Sequence, residues 1–199
     1  VYFRFGQFST SKIWAHGFGR RGIVAAAGYV GTDSLGGTGC GNSGLSAEAT
    51  GSLQVQAGDM ISFGNGGPGI RSLSSSSIIC LAGGLVHARG NSAAGVIADE
   101  ASSVQVNAGS SANSNGASGF VALGGSICKA PSCTANGNAS YGGYSDGKSR
   151  VEVGGSDCTG NGLGGVYAGG GSNNYCTGTL GTLSPAANTV GNSNSMNVQ

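Results

Sequence analysis

A short phrase returns along this chain at a nearly constant interval, and such a repeat restricts the fold more than any other feature of the sequence. A glycine followed by an apolar residue and then a small or apolar pair occurs as Gly22-Ile23-Val24-Ala25, Gly44-Leu45-Ser46-Ala47, Gly69-Ile70-Arg71-Ser72, Gly95-Val96-Ile97-Ala98, Gly119-Phe120-Val121-Ala122, Gly143-Tyr144-Ser145-Asp146 and Gly165-Val166-Tyr167-Ala168. The steps between these glycines are 22, 25, 26, 24, 24 and 22 residues. A second short apolar element follows most of them, as Ser52-Leu53-Gln54-Val55, Ser77-Ile78-Ile79-Cys80, Ser103-Val104-Gln105-Val106, Ser126-Ile127-Cys128 and Arg150-Val151-Glu152-Val153. An asparagine precedes each later glycine by 4 or 5 residues, at Asn65, Asn91, Asn115, Asn138 and Asn161.

No such unit can bury an apolar face by itself, so each must stack on its neighbours. The unit carries two clear strands and a weaker third, of which Met60-Ile61-Ser62-Phe63 and Leu85-Val86-His87-Ala88 are examples. Strands one repeat apart then pair in parallel at about 4.8 Å. In Val104-Gln105-Val106 and Val151-Glu152-Val153, alternation sends the valines inward and the middle residue outward. The recurring asparagine suits a turn, because Asn tolerates a left-handed backbone, and stacked Asn side chains can hydrogen-bond along the stack. Regularly spaced short strands also suit an antiparallel sandwich, but a sandwich does not require an asparagine at a fixed phase.

Composition agrees with a chain of turns and short strands. Gly, Ser, Ala and Asn make up 109 of the 199 residues, and only 9% are charged, with a formal net charge of +1. Glycine costs roughly 1 kcal/mol per helical position, which disfavours a helical bundle. Three prolines and sparse charge are unlike ordinary disorder. The glycines keep no collagen period, and no apolar run is long enough for a membrane-spanning helix. Basic residues are too few and too balanced for a nucleic-acid footprint. The sequence opens on Val1 without a signal-like pattern and is read as a piece of a longer polypeptide.

The repeat resembles the right-handed parallel β-helix superfamily, whose coils run three short strands with an Asn-bearing turn. The Gly/Ser/Ala/Asn-rich coils and the closing stretch Ser184-Pro185-Ala186-Ala187-Asn188-Thr189-Val190-Gly191-Asn192-Ser193-Asn194 resemble bacteriophage tailspike and tail-fibre β-helices. The resemblance covers roughly residues 22–192. It implies an all-β, right-handed parallel β-helix of about seven coils with 22–26 residues each, over residues 22–199. It also implies a virion component, assembled in the host cytoplasm and displayed extracellularly on the tail. Such a component is often a homotrimer joined to other tail proteins, and it binds or cleaves a host cell-surface glycan. Pectin-degrading enzymes, epimerases and adhesins share this fold, so the fold alone does not decide the function.

Residues 1–21 fall outside the repeat and concentrate Tyr2, Phe3, Phe5, Ile13 and Trp14 beside Lys12, Arg20 and Arg21. They read either as a cap over the open end of the stack or as an aromatic and basic binding surface. Tyr141, Tyr144 and Tyr167 are candidate glycan contacts near one corner, since tyrosine stacks on sugar faces and offers a hydroxyl. Gln105, Arg150 and Glu152 on the neighbouring strand face complete that candidate site, and ordinary corner packing is the competing reading. Glycan cleavage needs two placed carboxylates, and Glu48, Asp99 and Asp146 fall at one corner of alternate coils, with Glu100 beside Asp99. Two coils separate them by about 10 Å, slightly wide for an inverting pair. A fibre spacer without ligand is the third possibility.

No cofactor or metal is expected. The six cysteines at 40, 80, 128, 133, 158 and 176 contain no Cys-x-x-Cys, and neither His16 nor His87 stands at a ligand spacing from them. They read as buried thiols, with a Cys128–Cys133 bridge as the alternative, and assembly in a reducing cytoplasm favours the thiols. Gly39-Cys40-Gly41-Asn42-Ser43-Gly44 matches a dinucleotide-binding pattern only formally, because no helix is expected after it. No Gly-x-Ser-x-Gly elbow stands on a strand-to-helix turn.

Overall fold

In a computed structural model of the chain, the repeats stack as a parallel β-solenoid of about eight turns. The structure describes all residues except Phe5, Ala82, residues 177–188, residues 191–194 and Gln199. The closing stretch from Ser184 to Asn194 therefore lies outside the described residues, apart from Thr189 and Val190. No helix occurs among the described residues, and every strand pairing is parallel.

The first face takes β1 (Tyr2–Arg4), β3 (Ile23–Ala26), β5 (Leu45–Glu48), β8 (Ile70–Leu73), β11 (Val96–Asp99), β14 (Phe120–Ala122), β16 (Tyr141–Ser145), β18 (Gly164–Ala168) and β20 (Thr189–Val190), stacked in that order. A second sheet contains β2 (Gln7–His16) and β4 (Tyr29–Thr38), each long enough to run along two faces. The front of β4 pairs β6 (Ser52–Val55), which leads through β9 (Ser77–Cys80), β12 (Ser103–Gln105), β15 (Ile127–Lys129), β17 (Arg150–Val153), β19 (Asn173–Cys176) and β21 (Ser195–Val198). The back of β4 pairs β7 (Met60–Phe63), followed by β10 (Val86–Arg89) and β13 (Ser111–Asn113). The stack thus has three faces, and its core is the column of inward side chains from each.

Alternation fills that core as the sequence leads one to expect. Val104, Val106, Val151 and Val153 are buried, while Gln105 is exposed between its neighbours and Glu152 half-buried. Leu53, Ile78, Val104, Cys128 and Val151 form one in-register column, and Leu45, Ile70, Val96 and Phe120 form another. The phase slips by one residue in one coil. Phe120 pairs Gly143 and Gly143 pairs Val166, so Gly142 is the repeat glycine there and Gly143 occupies a core position. The residue without a side chain stands in register with Phe120, the one aromatic ring among the largest fully buried side chains.

The recurring asparagine has a different role at the turn from the one expected. None of the five has positive φ. The residue before each does instead: Gly64, Gly90, Ser114, Gly137 and Gly160. The asparagines are buried and linked head to tail, with the amide Nδ2 of Asn65, Asn91, Asn115 and Asn138 donating to Oδ1 of the next at 2.9–3.0 Å. The same Oδ1 accepts the backbone N–H of the coil before, and each Nδ2 also donates to a carbonyl of an earlier turn. This ladder explains two of the repeat glycines, because a Cβ on Gly69 or Gly95 would press into the amide of Asn91 or Asn115, whereas one on Gly119 would press on the carbonyls of Ala112 and Gly142.

A second ladder, of serines, runs along the corner between the first and second faces. The backbone N–H groups of Ser76, Ser102, Ser126 and Ser149 donate to Oγ of Ser102, Ser126, Ser149 and Ser172 at 3.0–3.2 Å. Two consecutive left-handed residues precede each ladder serine, as Ser74-Ser75, Glu100-Ala101, Gly124-Gly125, Gly147-Lys148 and Gly170-Gly171, and Ala49-Thr50 stands in the same way before Gly51. Ladders of this kind satisfy the polar groups that sharp buried corners expose.

The N-terminal residues add a coil ahead of Gly22. Tyr2, Phe3 and Arg4 pair Val24, Ala25 and Ala26, and β2 runs beside β4 from Gln7 to His16. Phe3 and Ile13 are half-buried against the core, with the Phe3 and Phe8 rings 4.6 Å apart, while Tyr2, Trp14 and Phe18 remain exposed.

All six cysteines are free and buried, including Cys128 and Cys133. Burial raises five of the thiols: Cys80 and Cys176 to about 11, Cys133 and Cys158 to about 12, and Cys128 further still. Carboxylates contribute second at Cys80 (Asp59) and Cys158 (Asp157). Above the unfolded value of 9.0, the folded chain keeps protons that the unfolded chain loses. Their stabilisation is therefore complete below pH 9 and is lost as pH rises through 11 and 12. The melting temperature should be flat from neutrality to about pH 9 and fall above it, with no thiol reacting with a disulfide reagent at pH 8 before urea is added.

Candidate functional site

Outward residues of the first face also stand in register, one per coil: Tyr2, Val24, Ser46, Arg71, Ile97, Val121, Tyr144 and Tyr167. From Val24 onward these sit two residues after each repeat glycine, counting from Gly142 in the slipped coil. A groove of about 420 Å³ follows this face. Ile97, Val121, Leu123 and Tyr144 line it from the strands and the corner beyond them. Pro68, Ala93, Ala94, Ala117, Ser140 and Leu163 line it from the asparagine turns. Small turn residues keep the groove open, and its lining is almost wholly apolar.

Tyr141, Tyr144 and Tyr167 come together at one end. Their ring centroids are 5.0–5.9 Å apart, and Tyr144 lies within 8° of parallel to Tyr167. Tyr144 and Tyr167 are register partners on adjacent coils, whereas Tyr141 begins β16 beside the turn. Tyr144 Oη donates to Asp146 Oδ2 at 3.4 Å. Burial, with the nearby Asp146 charge second, holds its phenol above the ordinary tyrosine range. The hydroxyl therefore stays protonated at neutral pH, able to donate and accept. Arg71, the register partner of Ile97 outside the groove lining, carries a buried Nε with no hydrogen-bond partner.

The other candidate glycan contacts lie elsewhere. Gln105 and Glu152 belong to an outward column of the second face with Gln54, Ile79, Lys129 and Tyr175. Arg150 Nε and Glu152 Oε1 form an ion pair at 3.1 Å within β17. Among the described residues, no hydrogen bond, ion pair or ring contact joins this set to the tyrosines. The two sets occupy the outer surfaces of different faces.

Glu48, Asp99 and Asp146 stand at one corner of alternate coils, with Leu73 and Leu123 in the coils between. Glu48 Oε2 pairs with Arg21 at 2.6 Å, and its Oε1 accepts from Ser46 Oγ at 2.6 Å. Asp99 and Asp146 each accept a backbone N–H, from Glu100 at 2.9 Å and Gly147 at 2.7 Å. Glu100 turns away to accept from Ser74 Oγ. Each carboxylate thus has a local partner, and leucines separate them along the corner.

No cluster of His, Cys, Asp or Glu able to hold a metal ion occurs among the described residues. His16 Nδ1 and His87 Nδ1 instead bond Thr38 Oγ1 and Ser111 Oγ. No protein family, curated protein or solved structure matches the chain. Fold and site together define a parallel β-solenoid with an apolar groove that ends on stacked tyrosines. Ile97 and Val121, which floor this groove, were not among the sequence candidates. Their outward phase after the repeat glycine was the available signal.

Proposed function

We propose that the chain is a segment of a viral tail fibre or tailspike whose first face recognises a host-surface polysaccharide. The observation that carries this reading is the tyrosine stack opening onto the groove. Flat aromatic rings bind the C–H faces of sugars, and their hydroxyls bind the rims. The groove follows the stacking direction, which suits a linear chain of sugars lying across successive coils. The Gly/Ser/Asn-rich coils support the viral reading by resemblance. In that setting the chain assembles in the host cytoplasm as a homotrimer, joins other tail proteins and acts outside the cell.

The test is binding to an array of bacterial O-chain and capsular polysaccharides. The intact chain should bind at least one, and Tyr144→Ala should weaken that binding about tenfold or more, about 1.4 kcal/mol, with unchanged melting. Binding to none favours a fibre spacer. Shortening of the bound polysaccharide that Asp99→Ala abolishes would instead identify a depolymerase.

A further inference from the structure

On the third face, β7 and β10 send Ile61, Phe63, His87 and Arg89 outward, and these residues share a groove of about 480 Å³ with Trp14. Trp14 is in register with Gly36, and its ring occupies the space that a Cβ on Gly36 would fill. Gly36 is in turn in register with Ile61, so the indole borders the groove at one end. Trp14 is 45% exposed and Phe63 39% exposed, large values for such rings on a chain with 7% aromatic residues. Each ring keeps exposed surface for a ligand rather than being spent on the core.

The polar lining differs in what it has left to offer. His87 bonds Ser111 through Nδ1, and Asn113 donates to Thr134 Oγ1 and accepts from the backbone of Asn136. Asp59 is turned to the backbone N–H of Leu85, with His87 Nε2 at 3.9 Å from its other oxygen. Arg89 alone is uncommitted: its guanidinium lies 5.6 Å over the Phe63 ring, without an acidic or hydrogen-bonding partner among the described residues. Stacking on Phe63 steadies the fork while leaving its N–H groups unused. Lys12, 5.9 Å over the Trp14 ring, adds a second positive charge at the other end.

From this arrangement we infer a second carbohydrate site, on a different face from the tyrosine groove, that takes an acidic glycan. A uronate carboxylate meets Arg89 as a charge-assisted pair, and a sugar ring of the same chain stacks at Trp14. Trp14 is in register with His87 three coils away, and Arg89 lies two residues beyond His87 on β10, so about 14 Å along the stack separates the two groups and the ligand is an oligosaccharide rather than one sugar. The inference does not depend on the viral reading or on Tyr144.

Trp14 is the only tryptophan, so its fluorescence reports on this groove directly. The protein is titrated with oligomers of galacturonate, alginate and hyaluronan, and the responding chain is repeated as its methyl ester, which keeps the sugar and masks the charge. At least one acidic oligomer should give a saturable change in Trp14 emission. Its methyl ester should bind at least about tenfold more weakly, and so should the acid to Arg89→Gln, while Tyr144→Ala should respond as the unaltered chain does. Phe63→Leu, which removes the ring beneath Arg89, should also weaken the acid. No saturable response to any of the three overturns the inference, as does equal binding of the ester or an unaffected Arg89→Gln variant with unaltered melting.

Discussion

Replacing Asn115 with alanine is expected to destabilise the chain by roughly 3–5 kcal/mol, because the change breaks four buried hydrogen bonds at the centre of the ladder. Asn115 Oδ1 accepts from the backbone N and the Nδ2 of Asn91, at 3.2 and 3.0 Å. Its Nδ2 donates to Ala88 O at 3.2 Å and Asn138 Oδ1 at 3.0 Å. Asn115 is 2% exposed, so water cannot replace these partners without opening the corner. Some partners keep other bonds, since Asn91 Nδ2 still reaches Ser62 O, but the Asn91 backbone N–H is left without an acceptor. Such a loss is a large share of the stability of an ordinary domain, about 5–15 kcal/mol. Asn113→Ala, on the outer side of the same coil, should cost no more than about 1 kcal/mol. Urea unfolding of both variants is the check, and equal midpoints would refute the ladder's role.

The second large effect is expected at Phe120, where alanine should cost about 3–5 kcal/mol, towards the upper end. The ring is fully buried and in register with Gly143, which has no side chain to move into the vacated space. A Cβ on Gly143 would meet Val151 Cγ1 at 3.3 Å and Val153 and Val166 at 3.6 Å, a tight but open site. Gly143→Ala should therefore recover part of the stability lost in Phe120→Leu, where the shorter side chain frees room, while lowering that of the unaltered chain through crowding against Val151. The sign reversal between the two backgrounds is a coupling readable from a double-mutant cycle. Additive effects would mean that the two positions do not share a space.

The inner residues were the legible ones. Glycine, the apolar residue after it and the distant asparagine all face the axis, and stacking holds them to a common phase. The outer residues keep no such period, because each coil presents a different side chain there. Tyr144, Tyr167, Val121 and Ile97 form one column although about 24 residues separate neighbours. The phase taken from Gly143 instead of Gly142 shows how little error is tolerated, since a shift of one residue exchanges the two sides of a strand. Likewise, reading the third strand as Leu85–Ala88 rather than Val86–Arg89 left Arg89 outside the pattern and hid its place beside Phe63. Gln105, Arg150 and Glu152 were joined to the tyrosines because sequence shows which residues face outward but not which outer face they share.

The asparagines taught a related lesson. Their recurrence was visible, and hydrogen bonding along the stack was foreseeable from the side chain. Their backbone was not, because glycine or serine one residue earlier takes the left-handed position. The N-terminal aromatics matched no repeat phrase, yet β1 and β2 complete a coil through backbone pairing, which requires no particular side chains.

The central claim is that the first face holds a polysaccharide lengthwise across coils. Backbone amide NMR of the chain with the polysaccharide it binds tests this most directly. The account predicts shifts along Ile97, Val121, Tyr144 and Tyr167, one line across four coils, with the acid corner at Glu48 and Asp99 unmoved. Shifts confined to that corner, or to the second face around Gln105 and Glu152, would contradict it.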